Sequence, residues 1–134
     1  MAIEETVRAR LRGSGYRTEI TARSHVLVAD EPMKLGGTDA GPAPYEFLLA
    51  SLGACTSITL RMYASRKSWP LAGLDVDLAL VTEGEARRID RRITLHGDLD
   101  AAQRERLLEI ANSCPVHKLL TGAIDIQSRL TEEP

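Results

Sequence analysis

The chain has 134 residues, is 43% hydrophobic and 27% charged, and carries a net charge of −2. These values describe a soluble protein with one domain over 1–134, large enough to fold on its own core without a disulfide scaffold or structural metal. The acidic balance and the 4% aromatic content argue against a nucleic-acid surface and against binding to anionic membranes. Met1-Ala2-Ile3-Glu4-Glu5 lacks the pattern of a signal peptide. No apolar run approaches the roughly 20 residues that span a bilayer, so no membrane contact and a cytoplasmic location are expected.

Residues 3–11 alternate between apolar and polar, with Ile3, Val7, Ala9 and Leu11 on one face, which predicts a half-buried strand. Gly13-Ser14-Gly15 is a turn. Two short strands follow, Tyr16 to Thr21 and His25 to Ala29, joined by a hairpin at Ala22-Arg23-Ser24. Asp30-Glu31-Pro32 ends the meander. Residues 36–46, Gly-Gly-Thr-Asp-Ala-Gly-Pro-Ala-Pro-Tyr-Glu, form a loop rich in glycine and proline. It carries neither GxxxxGK[ST] nor GxGxxG after a strand, so it reads as close backbone approach to the helix start rather than a phosphate cradle.

Pro44 suits the first turn of a helix, and Glu46 suits its positive end. A helix is predicted from Tyr45 to about Arg66, apolar or small nearly all round over Phe47 to Leu60 and so buried on most faces. Trp69 to Gly73 ends it. Leu74, Val76, Leu78 and Leu80 mark a strand, and Ile89, Ile93 and Leu95 mark another across a hairpin at Glu83-Gly84-Glu85. Asp100 and Gln103 have the spacing of a capping box, opening a helix with Leu107, Leu108, Ile110, Ala111 and Cys114 on its apolar side. Pro115 interrupts that helix, and a short turn resumes. Ile124, Ile126 and Ser128 predict a last strand. The order β-β-β-α-β-β-α-β is an α+β class with mainly antiparallel sheets and two main helices.

The chain has two cysteines, Cys55 and Cys114. In a reducing compartment a disulfide between them would be transient, catalytic or sensing. Cys55 shares its helix face with Leu48, Ser51, Leu52, Ile58, Thr59 and Met62, a setting that suits an inert buried thiol as well as a reactive one. Cys114 precedes Pro115, so a helix restarting there places the thiol at its N-terminus, where backbone amides favour the thiolate. His117 and Lys118 follow within one turn. The competing reading makes Pro115 a kink and His117 a surface residue. A metal set of Cys114 and His117 with His25 or His96 lacks a ligand-spacing signature. Ser51 and Ser57 lack the GxSxG elbow of serine hydrolases.

The glycine-rich loop, the Leu48-to-Cys55 helix (LLASLGAC) and the Cys114-to-Lys118 segment (CPVHK) together resemble the OsmC/Ohr family of thiol-dependent peroxide-detoxifying proteins. The resemblance covers nearly the whole chain and is nearest the branch with PYELLLAALGACT-type sequences. It implies an interlocked homodimer with its sites at the interface. It also implies reduction of organic hydroperoxides for oxidative-stress defence, with Cys55 as the peroxidatic thiol, Cys114 as the resolving thiol and a dithiol as reductant, and no cofactor or metal. Arg17 occupies the place of the family's thiolate-stabilising arginine, with Arg23 as a second candidate. The family glutamate directly follows the proline. Here Tyr45 follows Pro44, and the acid, Glu46, comes one residue later. On a regular helix position 46 points about 180° from Cys55 and sits about 13.5 Å along the axis from it. Glu46 therefore stands either as the family's catalytic acid or as a cap on its own helix. The alternative function is a non-catalytic or redox-sensing member that binds a small apolar ligand at the dimer interface.

Overall fold

The computed structural model describes residues 1–131. The chain divides into two compact units, 1–50 and 51–134.

In the first unit, β1 (Arg8–Leu11), β2 (Thr18–Ala22) and β3 (His25–Ala29) form an antiparallel sheet in the order β1-β2-β3. β1 is shorter than its alternating pattern, because it pairs with β2 only from Arg8↔Thr21 to Leu11↔Thr18. The β2–β3 hairpin closes at Ala22↔His25, with Arg23 in the left-handed region at φ 54°. A 3-10 turn, Met33–Leu35, leads into the glycine-rich loop.

That loop folds back on the end of β3, a closer target than the helix start expected from sequence. A Cβ at Gly41 would lie 1.9 Å from the Val28 carbonyl oxygen, and one at Gly37 would lie 1.9 Å from that of Glu31. Only a hydrogen fits at either place. The Asp39 amide donates to the Glu31 carbonyl, and the Asp30 amide donates to that of Pro42.

Asp30 is the staple of this arrangement. It is buried, and its carboxylate accepts hydrogen bonds from the amides of Glu31, Thr38 and Ala40 and from the Thr38 hydroxyl, the last at 2.6 Å. These donors favour the charged form, the Thr38 hydroxyl most, and lower the carboxyl pKa from 3.8 to about 2. A depressed folded-state pKa stabilises the fold above the unfolded value and ceases to do so as pH falls through the folded one. Thermal unfolding followed across acid pH is expected to show a stability loss between about pH 4 and pH 2 that Asp30→Asn lacks.

α1 (Pro44–Arg66) begins within the first unit and continues into the second. The second unit adds β4 (Leu71–Glu83) and β5 (Ala86–Gly97), a long antiparallel hairpin in register from Gly73↔His96 to Glu83↔Ala86. α2 (Ala101–Ala111) opens on the predicted capping box: the Gln103 amide donates to Asp100, and the Asp100 amide donates to the Gln103 side chain. α3 (Pro115–Thr121) follows directly. Leu60, Ala64, Leu71, Leu99, Leu107 and Ala111 form the core, flanked by Tyr63, Trp69, Leu74, Ile93, Leu95 and Ile110.

Three expectations are corrected. First, α1 is not buried on most faces. Leu52, Thr56, Leu60 and Ala64, spaced four apart, form one buried stripe, while Ile58 and Met62 are 56% and 57% exposed. A single chain supplies packing on only one side of this helix. Second, α1 has 23 residues and an 18-residue stretch of mean hydropathy 1.3, long and apolar enough by those measures to cross a membrane. Leu60 and Ala64 of this helix lie in the core. Third, no strand forms at Ile124 to Ser128. Among the described residues, 123–131 have no regular structure, and Ile124, Ile126 and Leu130 are exposed. The alternation is present, but among the described residues no strand pairs with it.

Candidate active site

Residues 112–117 build the site. α2 ends at Ala111, so Cys114 leaves the apolar side of that helix and becomes the N-cap of α3, with Pro115 at the first helical position. Proline lacks an amide, so the amides left unpaired in that first turn are those of Val116 and His117. Both donate to sulfur. The His117 amide donates to Cys114 Sγ at 3.4 Å, and the Val116 amide donates to Cys55 Sγ at 3.5 Å. Adjacent helical amide nitrogens lie about 3 Å apart, so the two sulfurs are held within roughly 10 Å of each other. Both cysteines are free thiols. Cys114 is fully buried and Cys55 half-buried.

A second layer of contacts centres on Arg91 of β5. Its Nη1 donates to Thr56 Oγ1 at 3.1 Å, and its Nη2 donates to Asn112 Oδ1 at 3.0 Å and to His117 Nδ1 at 3.1 Å. The Thr56 hydroxyl itself donates to the Leu52 carbonyl at 2.7 Å. A guanidinium only donates, so Nδ1 of His117 accepts, and the neutral imidazole carries its proton on Nε2. Burial, and then the Arg91 charge, hold the His117 pKa below its ordinary value. Beside these groups runs a groove of about 590 Å³ lined by Leu52, Leu80, Ile89, Leu108 and Leu120, with Arg91 and His117 in its wall.

The structure thus brings together Cys55, Cys114 and His117 of the residues singled out from sequence. Arg17 lies just before β2 in the first unit, beside a pocket that it lines with Arg10, Arg12 and Glu19. Arg23 is at the β2–β3 turn. Glu46 accepts a hydrogen bond from the Ala43 amide at 2.8 Å, the N3-to-N-cap half of a capping box. In that role Glu46→Gln is expected to cost about 0.5–1 kcal/mol in a denaturant titration. No group of three or more His, Cys, Asp and Glu suited to a metal ion occurs among the described residues.

Arg91, Asn112 and Thr56 escaped the sequence reading. One signal was available for Arg91: it stands in phase with Ile89, Ile93 and Leu95 and, unlike Arg87 in the same phase near the hairpin end, lies between two apolar positions of that strand face.

The family model for OsmC-like proteins matches residues 37–129. The chain belongs to the OsmC-like family. The matched region of this OsmC-like chain includes the glycine-rich loop, α1, the β4–β5 hairpin and both cysteines. No curated protein gives a significant match to its sequence. Among solved structures, an OsmC-like protein from Mycoplasma pneumoniae is 19% identical, with a TM-score of 0.78 over 91% of this chain and 90% of that one. An organic hydroperoxide resistance protein, OsmC, from Legionella pneumophila is 21% identical, with a TM-score of 0.60 over 91% and 92%. The organic hydroperoxide resistance protein OhrB of Bacillus subtilis is 20% identical, with a TM-score of 0.61 over 92% and 94%. At these identities the OsmC-like chain shares their α+β fold, with its antiparallel sheets and three helices.

Proposed function

We propose that this OsmC-like protein is a thiol peroxidase that reduces organic hydroperoxides through a two-cysteine cycle. The observation that carries this reading is the pair of sulfurs on adjacent amides, Cys55 on Val116 and Cys114 on His117. The Legionella and Bacillus proteins, both named as organic hydroperoxide resistance proteins, support a hydroperoxide-related stress role.

The half-buried Cys55 is the thiol a peroxide can reach, and the fully buried Cys114 is protected until the first thiol has reacted. In the proposed cycle the Cys55 thiolate attacks the terminal peroxide oxygen. The O–O bond breaks, the alkoxide leaves and takes up a proton as the alcohol, and Cys55 becomes a sulfenic acid. Cys114 then attacks that sulfur. An S–S bond forms, and the hydroxyl leaves as water. An external dithiol returns both cysteines to thiols. Arg17 is the proposed thiolate-stabilising residue, with Arg23 as the second candidate. The test is consumption of cumene hydroperoxide by purified protein with a dithiol. No turnover above the uncatalysed rate would sink the reading.

The protein is further proposed to act as a homodimer. Support comes from the apolar surface that one chain leaves uncovered: Ile58 and Met62 on α1, and Ile124, Ile126 and Leu130 in the C-terminal segment. A second reading, a non-catalytic or redox-sensing member that holds a small apolar ligand, draws on the groove by Arg91 and His117, where Leu52, Leu80, Ile89, Leu108 and Leu120 supply apolar wall beside Arg87 and Arg88. Cysteines that stay reduced throughout a peroxide titration would favour it.

A further inference from the structure

Arg91 is an unusual residue to find half-buried on an apolar strand face. It faces its cross-strand partner Leu78 and stands between Ile89 and Ile93. Removing a guanidinium from water is costly unless its donors are met. Here the acceptors are all neutral: a hydroxyl, an amide oxygen and an imidazole nitrogen. Among the described residues no carboxylate forms an ion pair with Arg91, whereas Arg88 on the same strand pairs with Glu83 and Asp90.

The three acceptors share one property. Thr56 is the residue after Cys55 on α1. Asn112 caps α2 two residues before Cys114. His117 is three residues after Cys114, and its amide holds that sulfur. One planar fork therefore ties together the three segments that frame the two thiols, and it does so from a strand that contributes no thiol.

We propose that Arg91 is a positioning residue of the two-thiol site: its fork fixes Thr56, Asn112 and His117 so that the first turn of α3 stays against α1 and Cys114 can close on Cys55. It also sets the His117 tautomer. This role rests on the proposed two-cysteine chemistry but is separate from thiolate stabilisation by Arg17. It acts on closure of the disulfide rather than on attack at the peroxide. The geometry depends on the fork. A lysine keeps the charge but presents one nitrogen, which cannot meet three acceptors in one plane.

The test measures closure without peroxide. A small symmetrical disulfide is attacked by the Cys55 thiolate, giving a mixed disulfide and one free small thiolate. Cys114 then attacks the Cys55 sulfur, the protein disulfide forms, and the second small thiolate leaves. The protein loses two electrons and the oxidant gains two. In Arg91→Gln the second step is expected to slow by about tenfold or more, because a misplaced nucleophile loses orientation. The first step is expected to stay near the wild-type rate, and Arg91→Lys to behave like Arg91→Gln. Full rescue by lysine, or an unchanged second step in a variant with native-like thermal unfolding, overturns the proposal. Imidazole nitrogen shifts of the wild-type protein supply a readout that needs no variant: Nδ1 unprotonated and Nε2 protonated is expected, and the reverse overturns it. Normal closure without peroxide turnover would reject the peroxidase reading and leave Arg91 in place.

Discussion

Under the proposed cycle, Cys55→Ser is expected to lower hydroperoxide turnover by more than about 1,000-fold, because the variant lacks the sulfur that the cycle has attack the peroxide oxygen. Cys114→Ser is expected to behave differently. It retains the first step, so one equivalent of hydroperoxide is consumed per chain and Cys55 accumulates as a sulfenic acid that a carbon-acid trap labels. Wild-type protein treated in the same way should yield a disulfide and little trapped adduct. The asymmetry follows from exposure: Cys55 is half-buried and Cys114 fully buried. If the two variants behave identically, or if Cys114 is the one labelled, the assignment of roles is wrong.

Leu60→Ala is expected to have the largest effect on stability. Leu60 is fully inaccessible and belongs to the core cluster with Ala64, Leu71, Leu99, Leu107 and Ala111. Truncation removes buried methyl groups and leaves a cavity, at a cost of about 3 kcal/mol. For a chain of this size that corresponds to a fall in Tm of roughly 10 °C in a thermal scan. Leu60 lies one helical turn beyond Thr56, so the same variant loosens the segment that presents Cys55. Ile58→Ala, on the exposed side of α1, is the control for helix propensity. It is expected to cost far less in a monomer and more if a second subunit covers that face. Comparing the two variants as protein concentration is raised separates the two contributions.

What was legible in the sequence was what local chemistry decides. Asp100 and Gln103 announced the start of α2, Pro44 the start of α1, and the Cys114-Pro115 pair the start of α3. Each depends on residues within one turn of each other. The unread parts depend on distant partners. Arg91 reaches residues 35, 21 and 26 positions away in sequence, and no spacing rule connects them. The Ile124-to-Ser128 alternation is the pattern a strand would have, but it carries no information about whether a pairing strand is present, and no strand forms there. The face that α1 shows to its surroundings is of the same kind. Its composition says that most of its surface suits an apolar environment, and the fold of one chain covers only the Leu52, Thr56, Leu60 and Ala64 stripe.

The close fit of Gly37 and Gly41 against the backbone of Glu31 and Val28 has a bearing on how such proteins are recognised. These two positions exclude side chains for a steric reason unrelated to sulfur chemistry. A chain that had lost either thiol would still need hydrogen there to close the loop. A search keyed on the glycine-rich loop therefore retrieves architecture, and it would return active and inactive members alike. The letters that the proposed chemistry uses are few and scattered: the cysteines at 55 and 114, the histidine at 117 and the arginine at 91. Under that proposal, members of this fold are to be sorted by those four positions rather than by their most recognisable stretch.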